Sequence, residues 1–163
     1  MVMLSSTLAS SLASNPNVDN EAAAITNFTN SWVTYFSTAT AGVVPIVSPL
    51  LQGTPAAAMI GSMTGLSQAN NGANAISSGI TAFWTAMIPL AATLFPTAVS
   101  LTPPPAISTI ATALVPVFLA NTQGNLDVAT CYQNIATALN AINIAGGIAV
   151  LIIASVPTPT PIL

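Results

Sequence analysis

Nearly all the ionisable chemistry this chain could perform rests on four side chains: Asp19, Glu21, Asp127 and Cys131. Asp19 and Glu21 lie two positions apart, and a pair of carboxylates is what glycosidases use to divide acid and base roles. A nucleophilic serine or cysteine needs a neighbouring base, and a phosphate-binding loop needs its lysine. None of those partners exists, because the 163 residues include no Lys, no Arg and no His. The many serines therefore have nothing to take a proton, and Cys131 has no cation to lower its pKa. Metal ligation of the ordinary kind is excluded, as is binding of nucleic acid by neutralising its phosphates. The expectation is a non-enzymatic chain with no catalytic residue, no metal and no cofactor.

The three charges have structural uses instead. Asp19 and Asn20 stand just before an apolar-periodic stretch with Glu21 in its first turn, and Asp127 stands before another. Acidic and amide side chains at those places cap exposed backbone amides and complement the helix dipole. Asp19, Asn20 and Asp127 are therefore read as helix caps. Trp32, Phe83, Trp84 and Leu139 are read as core or interface anchors, and Met59, Met63 and Met87 as core filler. Asn27-Phe28-Thr29 matches a glycosylation pattern that no secretion signal accompanies. Cys131 reads as a small buried hydrophobe, and as a lone cysteine it forms no intrachain disulfide.

Hydrophobic residues make up 53% of the chain and charged ones only 2%, where an average protein has about a quarter charged. So much apolar mass argues against disorder. A surface without interspersed charges associates readily, so most of the exterior is expected to be covered by partners. The first residues, Met1-Val2-Met3-Leu4, carry no positive charge and do not read as a signal peptide. The strongest apolar run, residues 142–156, reaches only about fifteen residues where a spanning helix needs about twenty. Its Gly146-Gly147 and β-branched residues favour a strand. Other apolar stretches are interrupted by Pro45, Pro49 and Pro55, or by Pro89, Pro96 and Pro103-Pro104-Pro105. A membrane protein is therefore the less favoured reading.

Three stretches share one organisation. Apolar residues recur at helical steps at Ala22, Ile25, Phe28, Trp32 and Tyr35; at Ala73, Ile76, Ile80, Phe83 and Met87; and at Ala129, Tyr132, Ile135, Leu139 and Ile142. A shorter helical pattern precedes each, at residues 4–12, 57–66 and 107–119, across a connection rich in Asn. A β-branched segment follows each, at 42–47, 94–101 and 147–156. The fold expected is helix-rich α+β, with three helix–turn–helix–strand units at about 4–49, 56–102 and 106–156 packed as one domain; an all-α bundle is the alternative. Strands from the three units would meet near a common axis. Pro116 should kink or stop its helix, and the Pro-rich tail at 157–163 should run extended.

Ala82-Phe83-Trp84, Leu101-Thr102-Pro103-Pro104-Pro105, Phe118-Leu119-Ala120-Asn121 and the ending Pro157-Thr158-Pro159-Thr160-Pro161-Ile162-Leu163 carry a resemblance. The second half of the chain resembles small, neutral, Ala/Thr/Pro-rich proteins of tail-tip and baseplate gene clusters in contractile-tailed phages and related injection systems. That resemblance implies a structural protein of a virion tail or baseplate whose partners are other virion proteins. It implies no catalytic residue, no cofactor and no direct nucleic-acid binding. The alternative function is a membrane-active or channel-like protein acting during genome delivery.

Overall fold

Asn20 starts the first long helix by chemistry local to it. Its backbone is extended, and its side-chain oxygen accepts the Ala23 N–H at 2.9 Å, pairing one of the amides that a helix start leaves open. The computed structural model describes residues 3–14, 20–64, 72–144, 147–153 and 156–163. Asp19, Gly146 and parts of two Asn-rich connections lie outside the described residues. The helices are α1 (Ser5–Ala13), α2 (Glu21–Phe36), α3 (Thr54–Met63), α4 (Gly72–Met87), the short α5 (Ala91–Leu94), α6 (Ile110–Gln123) and α7 (Val128–Ile144). The strands are β1 (Thr40–Ala41), β2 (Val44–Pro45), β3 (Ala98–Thr102), β4 (Ile148–Ile153) and β5 (Val156–Pro161). The chain is thus helix-rich α+β, and the strands exclude the all-α alternative.

The long helices form three hairpins, α1/α2, α3/α4 and α6/α7, which follow one another around a closed ring. Within each hairpin the helices pack together; between hairpins α2 meets α3, α4 meets α6, and α7 returns to α1. Inside the ring lies an aromatic centre drawn from α2 and α4. Trp32 and Phe83 meet edge-on at 6.4 Å between ring centroids, and Phe36 stands edge-on to Trp84 at 5.2 Å. Edge-to-face rings at such spacings gain attraction beyond their buried area.

Burial differs among the three apolar stripes. All five stripe residues of α4 are buried, whereas on α2 Ala22 faces outward. Of the five stripe residues on α7 only Leu139 is buried, and Ala129 is exposed. The helix α4 is central and the α6/α7 hairpin peripheral, so equal periodicity does not produce equal burial. Cys131, on α7, is accordingly half-buried rather than buried.

The strands depart from the expected pattern in three places. In place of one strand at 42–47, residues 40–45 form a hairpin: Thr40 pairs with Pro45 and Ala41 with Val44, with Gly42 at φ +59° opening the two-residue loop. The second strand begins at Ala98 because α5 runs to Leu94, Pro96 lacks an N–H, and Thr97 turns the chain at φ +76°. The tail is a paired strand, β5, antiparallel to β4, which is itself antiparallel to β3. A threefold rotation never reverses a direction, so antiparallel β3 and β4 are not related by a threefold axis. That corrects the axial arrangement expected for the strands.

Proline spacing decides how the tail pairs. Pro157, Pro159 and Pro161 alternate with Thr158 and Thr160, and side-by-side residues in a strand direct their N–H groups to opposite edges. The Ile162 N–H, in phase with the threonines, donates to the Gly147 carbonyl at 2.7 Å. Leu163, in phase with the prolines, exchanges two 2.9 Å bonds with Thr40 of β1. The prolines therefore place their missing donors on the outer edge of β5, which protects it from adding another strand.

Pro116 does not stop α6, which continues to Gln123. Nor does Pro89 end the apolar helix before it: α4, a 3-10 turn and α5 run on from Gly72 to Leu94. Proline is tolerated where the carbonyl it deprives can reach solvent, and Thr112, four residues before Pro116, is exposed.

Candidate interaction surface

Glu21 and Asp127 take separate structural places, and Asp19 lies outside the described residues. Asp127 sits in the turn between α6 and α7 and caps α7: its carboxylate accepts the Thr130 N–H at 2.9 Å and the Thr130 hydroxyl at 2.7 Å. Those bonds hold its pKa below the ordinary value, the backbone bond contributing most. Glu21, in the first turn of α2, lines a different region. Among the described residues no group of three His, Cys, Asp or Glu side chains comes together. The Cys131 thiol lies 3.7 Å from the Leu126 carbonyl.

All four anchors are in the core: Trp32 and Trp84 are 1% exposed, Phe83 is fully buried, and Leu139 is 1% exposed. A polar seam that the apolar stripes do not reveal lies beside them. On α7, Asn140 accepts the Tyr35 hydroxyl at 2.7 Å, and Asn143 accepts the Trp84 indole N–H at 3.3 Å. The Asn143 amide in turn reaches the Met3 sulfur at 3.4 Å. Burial pushes the Tyr35 hydroxyl up to about 12, with the neighbouring Asn143 amide acting against it. Asn140 and Asn143 are three apart, the spacing that puts two side chains on one helix face, and that was the available signal. Two buried groups on α2, the Thr29 hydroxyl and the Trp32 indole N–H, find no hydrogen-bond partner among the described residues.

Two concavities flank the hairpins. One, of about 410 Å³, is walled mainly by Ile25, Phe28, Met63, Ile76, Tyr132 and Ile135, with Glu21 and Ser31 also on its lining. It offers a carboxylate and hydroxyls but no cation to hold an anion. The other, of about 420 Å³, is a groove between α6 and α7 lined by Pro116, Val117, Ala120, Asn134, Thr137 and Ala138.

Beside that groove lies the most exposed apolar helix. Val115 is 57% exposed and Leu119 54%, and beyond the end of α6 Leu126 and Val128 are exposed as well. Among the described residues two helical stretches are long and apolar enough to cross a membrane, Gly72–Leu94 and Pro105–Gln123. The first is 44% buried, as suits a core helix, and the second only 11%.

Hydroxyl bonding leaves the surface with fewer free donors. Exposed Thr26, Thr34, Thr81, Thr85, Thr122 and Thr137 each donate to the carbonyl four residues earlier, at 2.8–2.9 Å. A threonine bonded back to its own helix has already spent its hydroxyl proton locally. The helices thus present fewer outward donors than their threonine content suggests. Against known proteins, the chain matches no family model, no curated protein and no solved structure.

Proposed function

We propose that this chain is a non-enzymatic structural component of a phage or phage-like virion, in the tail tip, baseplate or hub region, packed against other particle proteins. The observation that carries the reading is the character of the exterior. It has no cation, six of its exposed threonines bond back to their own helices, and α6 leaves Val115 and Leu119 uncovered. Such a surface is stable in water chiefly when neutral protein covers it. It also gives passing DNA nothing to hold by its phosphates. The resemblance of the second half to tail-cluster proteins supplies the class of assembly. Mass spectrometry of purified particles tests the reading: the chain should be recovered with the particles, and its absence from them overturns the assignment.

A second reading, a membrane-active protein of genome delivery, is favoured by one observation, the poorly buried apolar stretch Pro105–Gln123. Carbonate extraction of membranes after expression separates the two. Retention in the pellet supports membrane insertion, and release supports the particle subunit.

A further inference from the structure

We infer that the 410 Å³ cavity between the N-terminal halves of α2, α4 and α7 binds a small neutral molecule, an apolar chain carrying one hydrogen-bonding oxygen. Its walls come from all three hairpins. Ile25, Ile76 and Tyr132 hold the same place, second of five, in the apolar stripes of α2, α4 and α7, and all three line it. Phe28 and Ile135 come next in their stripes and line it too. One turn further along α2, Trp32 already belongs to the aromatic centre. The long helices thus close on aromatic rings in their later turns and leave a space between apolar walls in their earlier ones. Phe28, Tyr132 and Ile135 are only half-buried because that space keeps part of each uncovered.

One polar side chain on the lining points to a ligand. Ser31 is 4% exposed, and what access it keeps is to the cavity. Thr26 and Thr34, on the same helix, donate to the carbonyl four residues earlier, whereas the Ser31 hydroxyl makes no hydrogen bond among the described residues. A buried hydroxyl without a partner is unfavourable, and an oxygen on a bound molecule supplies the partner. Asn27, one turn earlier, adds an amide to the same strip of lining.

Size and charge set the class of occupant. Two turns of a helix about 10 Å across need roughly 800 Å³, so a partner's helix does not fit. Small-molecule sites run from about 300 to 1,000 Å³, with apolar walls and a few polar groups that fix orientation. An anion would meet the Glu21 carboxylate on the lining, with no cation anywhere in the chain to offset it. A cation would be drawn to Glu21 but would bury its own charge among apolar walls. A neutral molecule meets neither obstacle, and a medium-chain alcohol is the simplest example.

The inference goes beyond the particle assignment, and its test uses the purified full chain alone, so either can fail without the other. Isothermal titration calorimetry with 1-octanol should show saturable binding of about one molecule per chain, and the alcohol should raise the melting temperature. Octanoate, of the same chain length, should bind at least about tenfold more weakly at pH 8. Ser31→Ala keeps the walls and removes the hydroxyl, so it should weaken octanol binding about three- to tenfold. Ala24→Phe places a ring in the cavity and should abolish binding, with circular dichroism checking that the fold is kept. Ile135→Trp fills the same space from α7 should Ala24→Phe fail to fold. Wild-type chain that does not bind octanol up to its solubility overturns the inference. Octanol binding that neither the Ser31 variant nor a cavity-filling variant changes overturns it too, as does octanoate binding as tightly as octanol.

Discussion

The Tyr35 hydroxyl donates to the Asn140 side-chain oxygen at 2.7 Å across 105 positions of sequence, tying the first hairpin to the last. Beside it the Trp84 indole bonds Asn143, so one face of α7 is fastened to both α2 and α4. Polar bonds inside an apolar ring cost stability when broken singly, and they fix how α7 is rotated against its neighbours.

Alkaline titration tests the burial of Tyr35. The folded chain holds the phenolic proton up to about 12, against 10.0 when unfolded. The contribution is therefore fully present below pH 10 and is lost as pH rises through about 12, and it is worth on the order of 2–3 kcal/mol. Chemical denaturation between pH 9 and pH 12 should show this decline in the wild type and a smaller one in Tyr35→Phe. Parallel profiles would show that Tyr35 is not desolvated.

Thr29 should be improved by losing its hydroxyl. The side chain is fully buried and its oxygen finds no partner among the described residues. Thr29→Val keeps the shape and removes the unpaired group, so it should raise stability by about 1–3 kcal/mol. A lowered melting temperature would mean that the hydroxyl is bonded in the folded protein.

The aromatic centre should be the least tolerant part of the fold. Phe83 is fully buried, edge-on to both Trp32 and Phe36. Phe83→Ala should cost about 3–5 kcal/mol, which is enough to unfold a marginal domain. An unchanged melting curve would show that the register of α4 is wrong.

Two glycines should respond in opposite directions to the same substitution. A Cβ at Gly147 would lie 2.8 Å from the rim of the Trp84 ring, which is itself buried and cannot yield. Gly147→Ala should cost about 1–3 kcal/mol by overpacking. Gly61, within α3, has nothing within 4 Å of the same position, so Gly61→Ala should gain about 0.5–1 kcal/mol. Equal effects in thermal melts would contradict the close approach of β4's entry to Trp84.

Helices were the legible part of this chain, and the reason is local. The apolar steps through Trp32, Phe83 and Leu139, and the caps at Asn20 and Asp127, act within a few residues of themselves. Strand pairing was less legible, because a β-branched run such as 94–101 does not say whether Pro96 and Thr97 will turn the chain first. The stop expected at Pro116 failed for a related reason: tolerance depends on whether the Thr112 carbonyl faces water, which only tertiary placement decides. The seam of Asn140 and Asn143 was visible as spacing but not as contact, since its partners Tyr35 and Trp84 come from distant helices. Nothing in the periodicity separated the buried stripe of α4 from the half-exposed one of α7. That difference leaves the α6/α7 face exposed.

Copy number in intact particles tests the central claim most directly. Particles purified to constant composition and washed with carbonate would be quantified by mass spectrometry, with this chain measured against the tail-tube protein. A structural component predicts a fixed ratio that is the same in every preparation and survives the wash. A chain absent from particles, or one whose ratio follows the amount of host membrane carried along, would contradict the account.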